Sequence, residues 1–376
     1  MGALSALVAW RMLAHEPGRS LLAAAGVGIA VLMVFLELGF YASVPRAGML
    51  VYDHLRFDIL LTAADYVSQE EAYDFPRARL YQALSVDGVL SASPVYEGQG
   101  SWLDPRSGVR RDIFVIGVRP GDDAFRAPGI DAGLLRKPDF VLVDDQTLPV
   151  YGARAGARVE LDQRAVTVGG LYRLGTGFLG LGAVVTSDVN FRRIFPESSL
   201  AEVTLGLVRL KPGADPDAVA AELRRFLPAD VRVFTRASIA RHEVGYWANR
   251  TATGLVFGLG VVVSVIVGVL ILNQTLSAQI LRQLPQYATM KAMGWTHTDL
   301  ARSVAASSLL LALSAFIPAV ILALLIYGEV RALARLPIVM TGDRFALVLA
   351  ATLVMAAISA VLALRAVRRA DPAELF

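Results

Sequence analysis

One short stretch of this sequence has the glycine spacing of a dinucleotide-binding loop. Gly175, Gly177 and Gly180 form a G-x-G-x-x-G pattern after a strand-like run. Such a loop holds pyrophosphate when a helix begins at its end. Here the glycines are followed by LGAVVTS, which is typical of a strand. The pattern therefore predicts a turn rather than a nucleotide site.

The residue types needed for other kinds of catalysis are missing or scattered. The 376 residues include no Cys, and the four His stand far apart in the chain. The pair His242–Glu243 is followed by VGYW, so the zinc-protease pattern H-E-x-x-H is incomplete. There is no G-x-x-x-x-G-K-[ST] loop and no G-x-S-x-G elbow. We therefore expect no catalytic residues, no metal site and no cofactor in this chain.

The composition indicates a membrane protein. The chain is 55% apolar with a mean hydropathy of +0.53, above that of ordinary soluble domains. Its net charge is only +3 and its basic residues form no stripe with aromatics, which argues against nucleic-acid binding. Four runs are long enough to cross about 30 Å of hydrocarbon: Leu21–Phe40, Ala252–Leu272, Ser303–Tyr327 and Phe345–Leu364.

The distribution of Lys and Arg in the short segments predicts the orientation. One side carries Arg11, Arg19, Arg282, Lys291, Arg302, Arg365, Arg368 and Arg369, and the other carries Arg331, Arg335 and Arg344. This excess places both termini in the cytoplasm and the long segment after the first span outside. The first apolar run is longer than the roughly 7–15 residues of a cleaved signal peptide, so we expect an uncleaved anchor.

Residues 45–249 have the charge, Pro and Gly content of a folded extracytoplasmic domain. Their two ends, 55–98 and 202–236, each have the pattern strand, helix, strand, which predicts a split α+β domain. Residues 99–201 are mostly strand-like and predict a smaller β-rich subdomain. Residues 237–249 predict a helical stalk that runs into the second span.

The expected fold class is therefore an α-helical membrane protein. It has four transmembrane helices and a large α+β extracytoplasmic domain, a split β-α-β domain plus a β-rich insertion, between helices 1 and 2. Residues 1–44 hold the N-terminal arm and the first span, and residues 250–376 hold the other three.

Two features within the spans are candidates for function. Glu37 is the single charge in the first run, and an ionisable residue in a membrane is by default a functional candidate. It lies near the outer end of its run, where a structural role with the carboxylate at the interface is favoured. Gly254 and Gly258 form a G-x-x-x-G pair, which permits close helix contact. Packing within one subunit and dimerisation explain that pair equally well.

The segment QYATMKAMGW, residues 286–295, lies in the loop 277–302 between two uncharged spans. On a helix, Tyr287, Met290, Lys291 and Gly294 share one face, and Gly294 suits a helix C-cap. We therefore predict a short helix parallel to the membrane over about 285–295, with a new helix starting at 298–300. Two interpretations stay open: a connector on the headgroups, or a docking element for a cytoplasmic partner.

The segment YATMKAMGW and the C-terminal RRADPAELF resemble the FtsX/MacB-type family of ABC-transporter permeases. Further blocks resemble its DevC-type branch: LELGFY (36–41), FPRARLYQAL (75–84), IFVIGVRP (113–120), LYRLGTGF (171–178), LGLVRLKPGAD (205–215), LPADVRVFT (227–235), LPIVMT (336–341) and ADPAELF (370–376). They follow one another over nearly the full chain, which makes the resemblance specific.

The resemblance implies a homodimeric permease of the bacterial inner membrane, bound by two copies of an ABC ATPase that hold ATP and Mg. Segment 285–295 is then the coupling helix, with Met290, Lys291, Ala292 and Met293 as contacts and Gly294 as its end. It also implies mechanotransmission, in which ATPase dimerisation moves the spans and the external domains. A periplasmic membrane fusion protein and a TolC-like outer-membrane channel complete such exporters, and a lipid or other amphiphile is the substrate expected by analogy.

Two positions depart from the DevC-type pattern. The branch usually has an acidic residue where this chain has Gln286, so an ion pair with the ATPase at that position is in question. It usually has Gln in place of Glu37.

Three other functions are alternatives to the exporter. A lipoprotein-release permease of the LolC/LolE kind hands its cargo to a periplasmic chaperone, and an FtsX-like regulator pulls on a cell-wall hydrolase. The two-part external domain favours an exporter over FtsX itself. A membrane enzyme lacks the residues it needs.

Overall fold

The computed structural model describes residues 17–145, 147, 151–152, 154–174, 182–292, 296–333 and 338–369. These residues separate into two compact units. The helical unit contains the described residues up to Ser43 and from Ala252 onward, and the sheet unit contains those from Val44 to Thr251. Each unit has its own hydrophobic core.

The described residues contain ten helices: α1 (Pro17–Gly48), α2 (Leu50–His54), α3 (Ala78–Ala83), α4 (Ala132–Leu135), α5 (Asp188–Ile194), α6 (Pro216–Phe226), α7 (Arg236–Asn249), α8 (Ala252–Ala292), α9 (His297–Leu333) and α10 (Gly342–Arg369).

The same residues contain eleven strands: β1 (Ile59–Ala63), β2 (Phe75–Pro76), β3 (Val89–Leu103), β4 (Arg110–Val118), β5 (Phe140–Asp144), β6 (Arg158–Leu161), β7 (Arg164–Tyr172), β8 (Ala183–Ser187), β9 (Glu202–Val203), β10 (Leu205–Leu210) and β11 (Val231–Thr235). Nine strands form one sheet in the order β11-β1-β10-β3-β4-β8-β5-β7-β6, and β2 pairs with β9.

Four helices of the described chain are long and apolar enough to cross a membrane. Their candidate spans are Leu21–Ser43, Ala252–Arg282, Ala301–Leu333 and Gly342–Leu364. A helix satisfies its own backbone N–H and C=O groups with internal hydrogen bonds, which is required in hydrocarbon because lipid chains offer no hydrogen-bond partners. The predicted fold class, four transmembrane helices with an α/β-rich domain between the first and the second, is confirmed.

A buried tyrosine joins two helices of the helical unit. The Tyr327 hydroxyl of α9 donates a hydrogen bond to the Phe35 carbonyl of α1, and the Arg344 guanidinium lies 5.8 Å from the centroid of the tyrosine ring. Gly39, one turn after Phe35, packs directly on that ring. A Cβ atom at Gly39 would fall 2.7 Å from the Tyr327 Cζ atom, so the contact requires glycine.

The sheet is buried on both faces, and neighbouring residues of its central strands belong to different cores because side chains alternate along a strand. In β1, Ile59 and Leu61 lie in one core and Leu60 lies in the other. Helices α3, α5 and α6 contribute side chains to the first core, and α2, α4 and α7 contribute to the second. Six helices therefore cover one sheet.

Strand β3 joins the two parts of the sheet unit. Its 15 residues pair first with β10 and then, from Val95 onward, with β4. The β-rich segment 99–201 was expected to form a second, smaller subdomain, but its strands extend the sheet of the split α+β part. The first part of β3 bonds to β10 and the second part bonds to β4, so this one strand joins the two sets of strands.

The predicted stalk corresponds to α7, but it does not run into the second span. Helix α7 ends at Asn249, and α8 begins at Ala252. The Asn249 side chain donates to the Gly245 carbonyl, and the Thr251 hydroxyl donates to the Trp247 carbonyl at 2.7 Å. Side chains thus bond carbonyls that a continuing helix would use, a competition typical of Asn and Thr.

The Gly39 contact gives a first prediction. Gly39→Ala forces the ring of Tyr327 away from α1, and such overpacking costs about 1–3 kcal/mol. We therefore expect a lower melting temperature for the full chain in detergent. Gly328→Ala is the matched control, since no atom lies within 4 Å of its new Cβ and alanine favours helix. Equal melting temperatures for the two variants would contradict the contact.

Candidate functional site

The candidate coupling residues lie at the C-terminal end of α8. Gln286, Tyr287, Met290, Lys291 and Ala292 are all within this helix, which has 41 residues. Their side chains are outside the described part of the structure, as are Met293 and Gly294 altogether. The separate helix predicted over 285–295 is wrong, because its residues up to Ala292 continue α8.

Tertiary packing holds α8 beyond the apolar run 252–272 that was predicted from the sequence. Leu276 and Ile280 are buried and pack with Val304 of α9 and Ala363 of α10. These contacts hold α8 in helical form between the apolar run and the coupling residues. Hydropathy alone does not predict these helix–helix contacts, because the residues from Asn273 to Gln286 are a mixture of polar and apolar types.

The helix after the loop begins at His297, one residue before the predicted start at 298–300. Helix α9 starts at His297, and the Thr296 hydroxyl accepts a hydrogen bond from the Asp299 amide at 3.3 Å. The Asp299 carboxylate in turn accepts from the Thr296 amide at 3.3 Å. This reciprocal capping satisfies two amides at the start of α9. Only residues 293–295 separate the capped helix from the end of α8.

The glycine pair of the second span faces α1 of the same subunit. Gly254 is buried, and the nearest atom to a Cβ built on Gly258 is Cε2 of Tyr41, at 3.7 Å. In the same region Phe257 stacks on Phe40 with ring centroids 5.3 Å apart. Gly258 therefore lies near α1 of the same chain, and packing and dimerisation both remain interpretations of the glycine pair.

Glu37 lies against the neighbouring glycine of the second span. A Cβ atom built on Gly260 would fall 2.5 Å from Cδ of Glu37. The carboxyl group thus occupies the space that a side chain at position 260 would need. Glu37 is partly exposed in the helical unit, so the structure places it in a helix–helix contact.

The sheet unit contains a polar cluster that sequence reasoning did not find. Glu243 of α7 is completely buried, and its Oε1 atom accepts a hydrogen bond from the Tyr66 hydroxyl at 2.5 Å. Tyr66 makes a short hydrogen bond with the hydroxyl of Tyr52 in α2. Nearby, Glu97 of β3 accepts a hydrogen bond from the Gln69 side chain at 3.2 Å. We call these five residues the carboxyl cluster.

Burial changes the acidity of both carboxyl groups in this cluster. Loss of solvation raises the pKa of Glu97 to about 8, against the opposing hydrogen bond from Gln69. Loss of solvation also raises the pKa of Glu243 to about 7, although the Tyr66 hydroxyl acts in the opposite direction. Both groups therefore titrate near neutral pH.

One residue of this cluster stands out in the sequence. Glu243 belongs to the incomplete zinc-protease pattern described above. Its place on the inner face of a predicted helix is the signal that could have identified it, because a buried Glu needs a hydrogen-bond partner. In the described residues no group of three or more His, Cys, Asp or Glu is arranged to hold a metal ion. Gly175, Gly177 and Gly180 lie outside the described residues, and the chain continues as strand β8.

The Glu37 contact gives a second prediction. Gly260→Ala displaces the Glu37 carboxyl and lowers the melting temperature in detergent. The loss should shrink in a Glu37→Ala background, with an interaction energy of about 1 kcal/mol. Gly258→Ala is the matched control, since its new Cβ makes only ordinary contact with Tyr41. An equal loss from Gly260→Ala in both backgrounds would count against the contact.

Comparison with known proteins gives two results for the sequence. Residues 236–372 match the family described as FtsX-like permease C-terminal. An uncharacterized ABC transporter permease protein of Mycobacterium tuberculosis, Rv0987, is 24% identical over 308 residues, which is 78% of this chain and 34% of that protein. The chain thus spans about a third of the length of this curated relative.

Two solved structures are similar to part of the chain. The periplasmic region of MacB from Actinobacillus actinomycetemcomitans aligns over 50% of this chain and 94% of its own, with 10% identity and a TM-score of 0.37. The extracellular domain of the transporter YknZ from Gram-positive bacteria aligns over 47% of this chain and 99% of its own, with 15% identity and a TM-score of 0.36.

The family match covers α7 to α10 almost completely and includes the whole candidate coupling segment. The chain is therefore similar to ABC transporter permeases, and its residues 236–372 are the part that matches the FtsX-like permease C-terminal family.

Proposed function

We propose that this chain is the permease subunit of an ABC-type exporter and that a separate ATPase docks on the end of α8. The observation that carries the proposal is the unbroken course of α8 from the second span to Ala292. Its 41 residues make a helix about 60 Å long, twice the roughly 30 Å of hydrocarbon in a bilayer. The coupling residues therefore extend into water at one end of a rigid span.

The packing around α8 supports mechanotransmission as the mechanism. Leu276 and Ile280 pack against α9 and α10 near the C-terminal end of the candidate span Ala252–Arg282. A displacement of Met290 by an ATPase is passed to three spans at once through this contact, because packed helices move as bodies. Since α7 lies two residues before α8 in the chain, the same motion acts on the sheet unit.

The proposed assembly is a homodimer with two ATPase copies in a bacterial inner membrane, with both termini in the cytoplasm. ATP and Mg are bound by the ATPase, and this chain contributes no catalytic group. The sheet unit is the docking surface for a periplasmic membrane fusion protein, and a TolC-like channel completes the path. The proposed substrate is a lipid or another amphiphile, by analogy with DevC-type exporters.

A third prediction tests the docking segment. Met290→Asp places a carboxylate in the proposed contact, and a charge buried without a partner costs several kcal/mol. We expect recovery of the ATPase with the tagged full chain, purified from native membranes in mild detergent, to fall at least about tenfold. Mass spectrometry of the purified material identifies and quantifies the partners.

Thr298→Asp is the matched control for this experiment. Thr298 is exposed in the first turn of α9, where a negative charge is favourable, so this variant should keep the ATPase. Both variants should keep a membrane fusion protein. Co-purification of a cell-wall hydrolase or a lipoprotein chaperone in its place would replace the exporter by an FtsX-like regulator or a LolC/LolE-like permease. If Met290→Asp retains the ATPase fully, the segment is only a connector.

A further inference from the structure

The carboxyl cluster contains two acids and no counter-ion among the described residues. Neither Glu97 nor Glu243 takes part in an ion pair of the described chain. The negative charge of Glu243 raises the pKa of Glu97, so ionisation of one carboxyl group disfavours ionisation of the other. The guanidinium of Arg232 on β11 donates to the backbone carbonyl of Tyr66 at 3.0 Å.

The titratable groups that face the cluster come from every element packed around it. They are Tyr52 on α2, Tyr66, Glu70 and Asp74 on the connection after β1, Glu97 on β3, Arg232 on β11, and His242 and Glu243 on α7. Acids outnumber bases in this set. The His242 ring contacts the Val67 carbonyl through Nε2 at 2.9 Å, and its centroid lies 5.8 Å from that of the Tyr66 ring.

The unpartnered hydrogen-bonding atoms around Glu97 favour the protonated form of that carboxyl group, whereas the hydrogen bonds to Glu243 oppose the dominant effect of its burial. Oε2 of Glu97 and Oε1 of Gln69 are buried and have no hydrogen-bond partner in the described part of the chain. An ionised carboxylate only accepts hydrogen bonds, whereas a protonated one also donates. A proton on Glu97 therefore supplies a donor in a place that otherwise contains an excess of acceptors.

We propose that Glu97 and Glu243 form a proton-binding site beneath α7, and that loss of these protons loosens α7 from the sheet. Ionisation puts two like charges in a buried place without a cation, and only hydration relieves them. Water can reach the Glu243 carboxyl group only if α7 separates from the sheet, because Glu243 lies on the buried face of α7. The site belongs to the sheet unit and is independent of the proposed ATPase and substrate.

Helix α7 is the element that yields because few apolar side chains hold it. Its buried residues are Ile239, Glu243 and Trp247, so one of three anchors is ionisable. Helix α6, by contrast, buries Val219, Ala220 and Leu223 and no acid. The two helices therefore respond differently to pH, and α6 serves as an internal reference.

The direction of the pH effect follows from the two pKa values. Both exceed the ordinary value of 4.5, at about 8 for Glu97 and about 7 for Glu243. Groups whose pKa is raised by folding stabilise the folded state fully below the ordinary value, and this contribution is lost as pH rises through the folded-state values. Attachment of α7 is thus firm in weak acid and weakest above pH 8.

A fourth prediction concerns hydrogen exchange of the full chain in nanodiscs, followed by mass spectrometry at pH 6 and pH 8.5. After correction for intrinsic rates, protection of α7 peptides relative to α6 peptides should fall at least about tenfold in the native protein. In Glu97→Gln/Glu243→Gln, which mimics the protonated pair, the ratio should stay constant. Both proteins keep His242, so the comparison isolates the effect of the two Glu residues.

Two further variants complete the test. Tyr66→Phe removes the hydrogen bond that favours ionised Glu243, so the loss of α7 protection should move to higher pH. Glu222→Gln changes an exposed carboxyl on α6 and should leave the native behaviour intact. A constant ratio in the native protein, or an equal fall in the double Gln variant, would overturn the proposal.

Discussion

The need to bury both faces of one nine-stranded sheet decides where the helices of the sheet unit must lie. A strand such as β1, with all five residues buried, cannot leave either side open to water. Helices α3, α5 and α6 cover one face, and α2, α4 and α7 cover the other. Helix α7 is thus a wall of this core as well as the segment that precedes the second span.

The second constraint is the continuity of α8. Near the C-terminal end of its candidate span, Leu276 and Ile280 pack with Val304 of α9 and Ala363 of α10. The helix then continues without a break to Ala292. A loop with a separate helix would absorb a displacement at Met290, whereas a continuous helix transmits it. This continuity is the observation that supports the mechanical role proposed for the segment.

Local patterns were enough to predict the spans and most strands. Hydropathy marks all four spans because each is a long apolar run, and the alternation in segments such as RDIFVIGV marks β4. Contacts between distant residues escaped prediction. Tyr66 and Glu243 are 177 positions apart, so nothing near either residue shows that they meet. The end of α8 and the fusion of the insertion into one sheet likewise depend on packing, which a single sequence does not encode locally.

The chain enters and leaves the sheet unit at neighbouring points. Gly48, at the end of α1, packs against the indole of Trp247 in α7, where a Cβ atom would fall 2.5 Å from Cδ1. A domain whose two ends are adjacent can be inserted into another fold without separating the elements on either side. A change in the size of the sheet unit would therefore leave the order of the four spans unchanged.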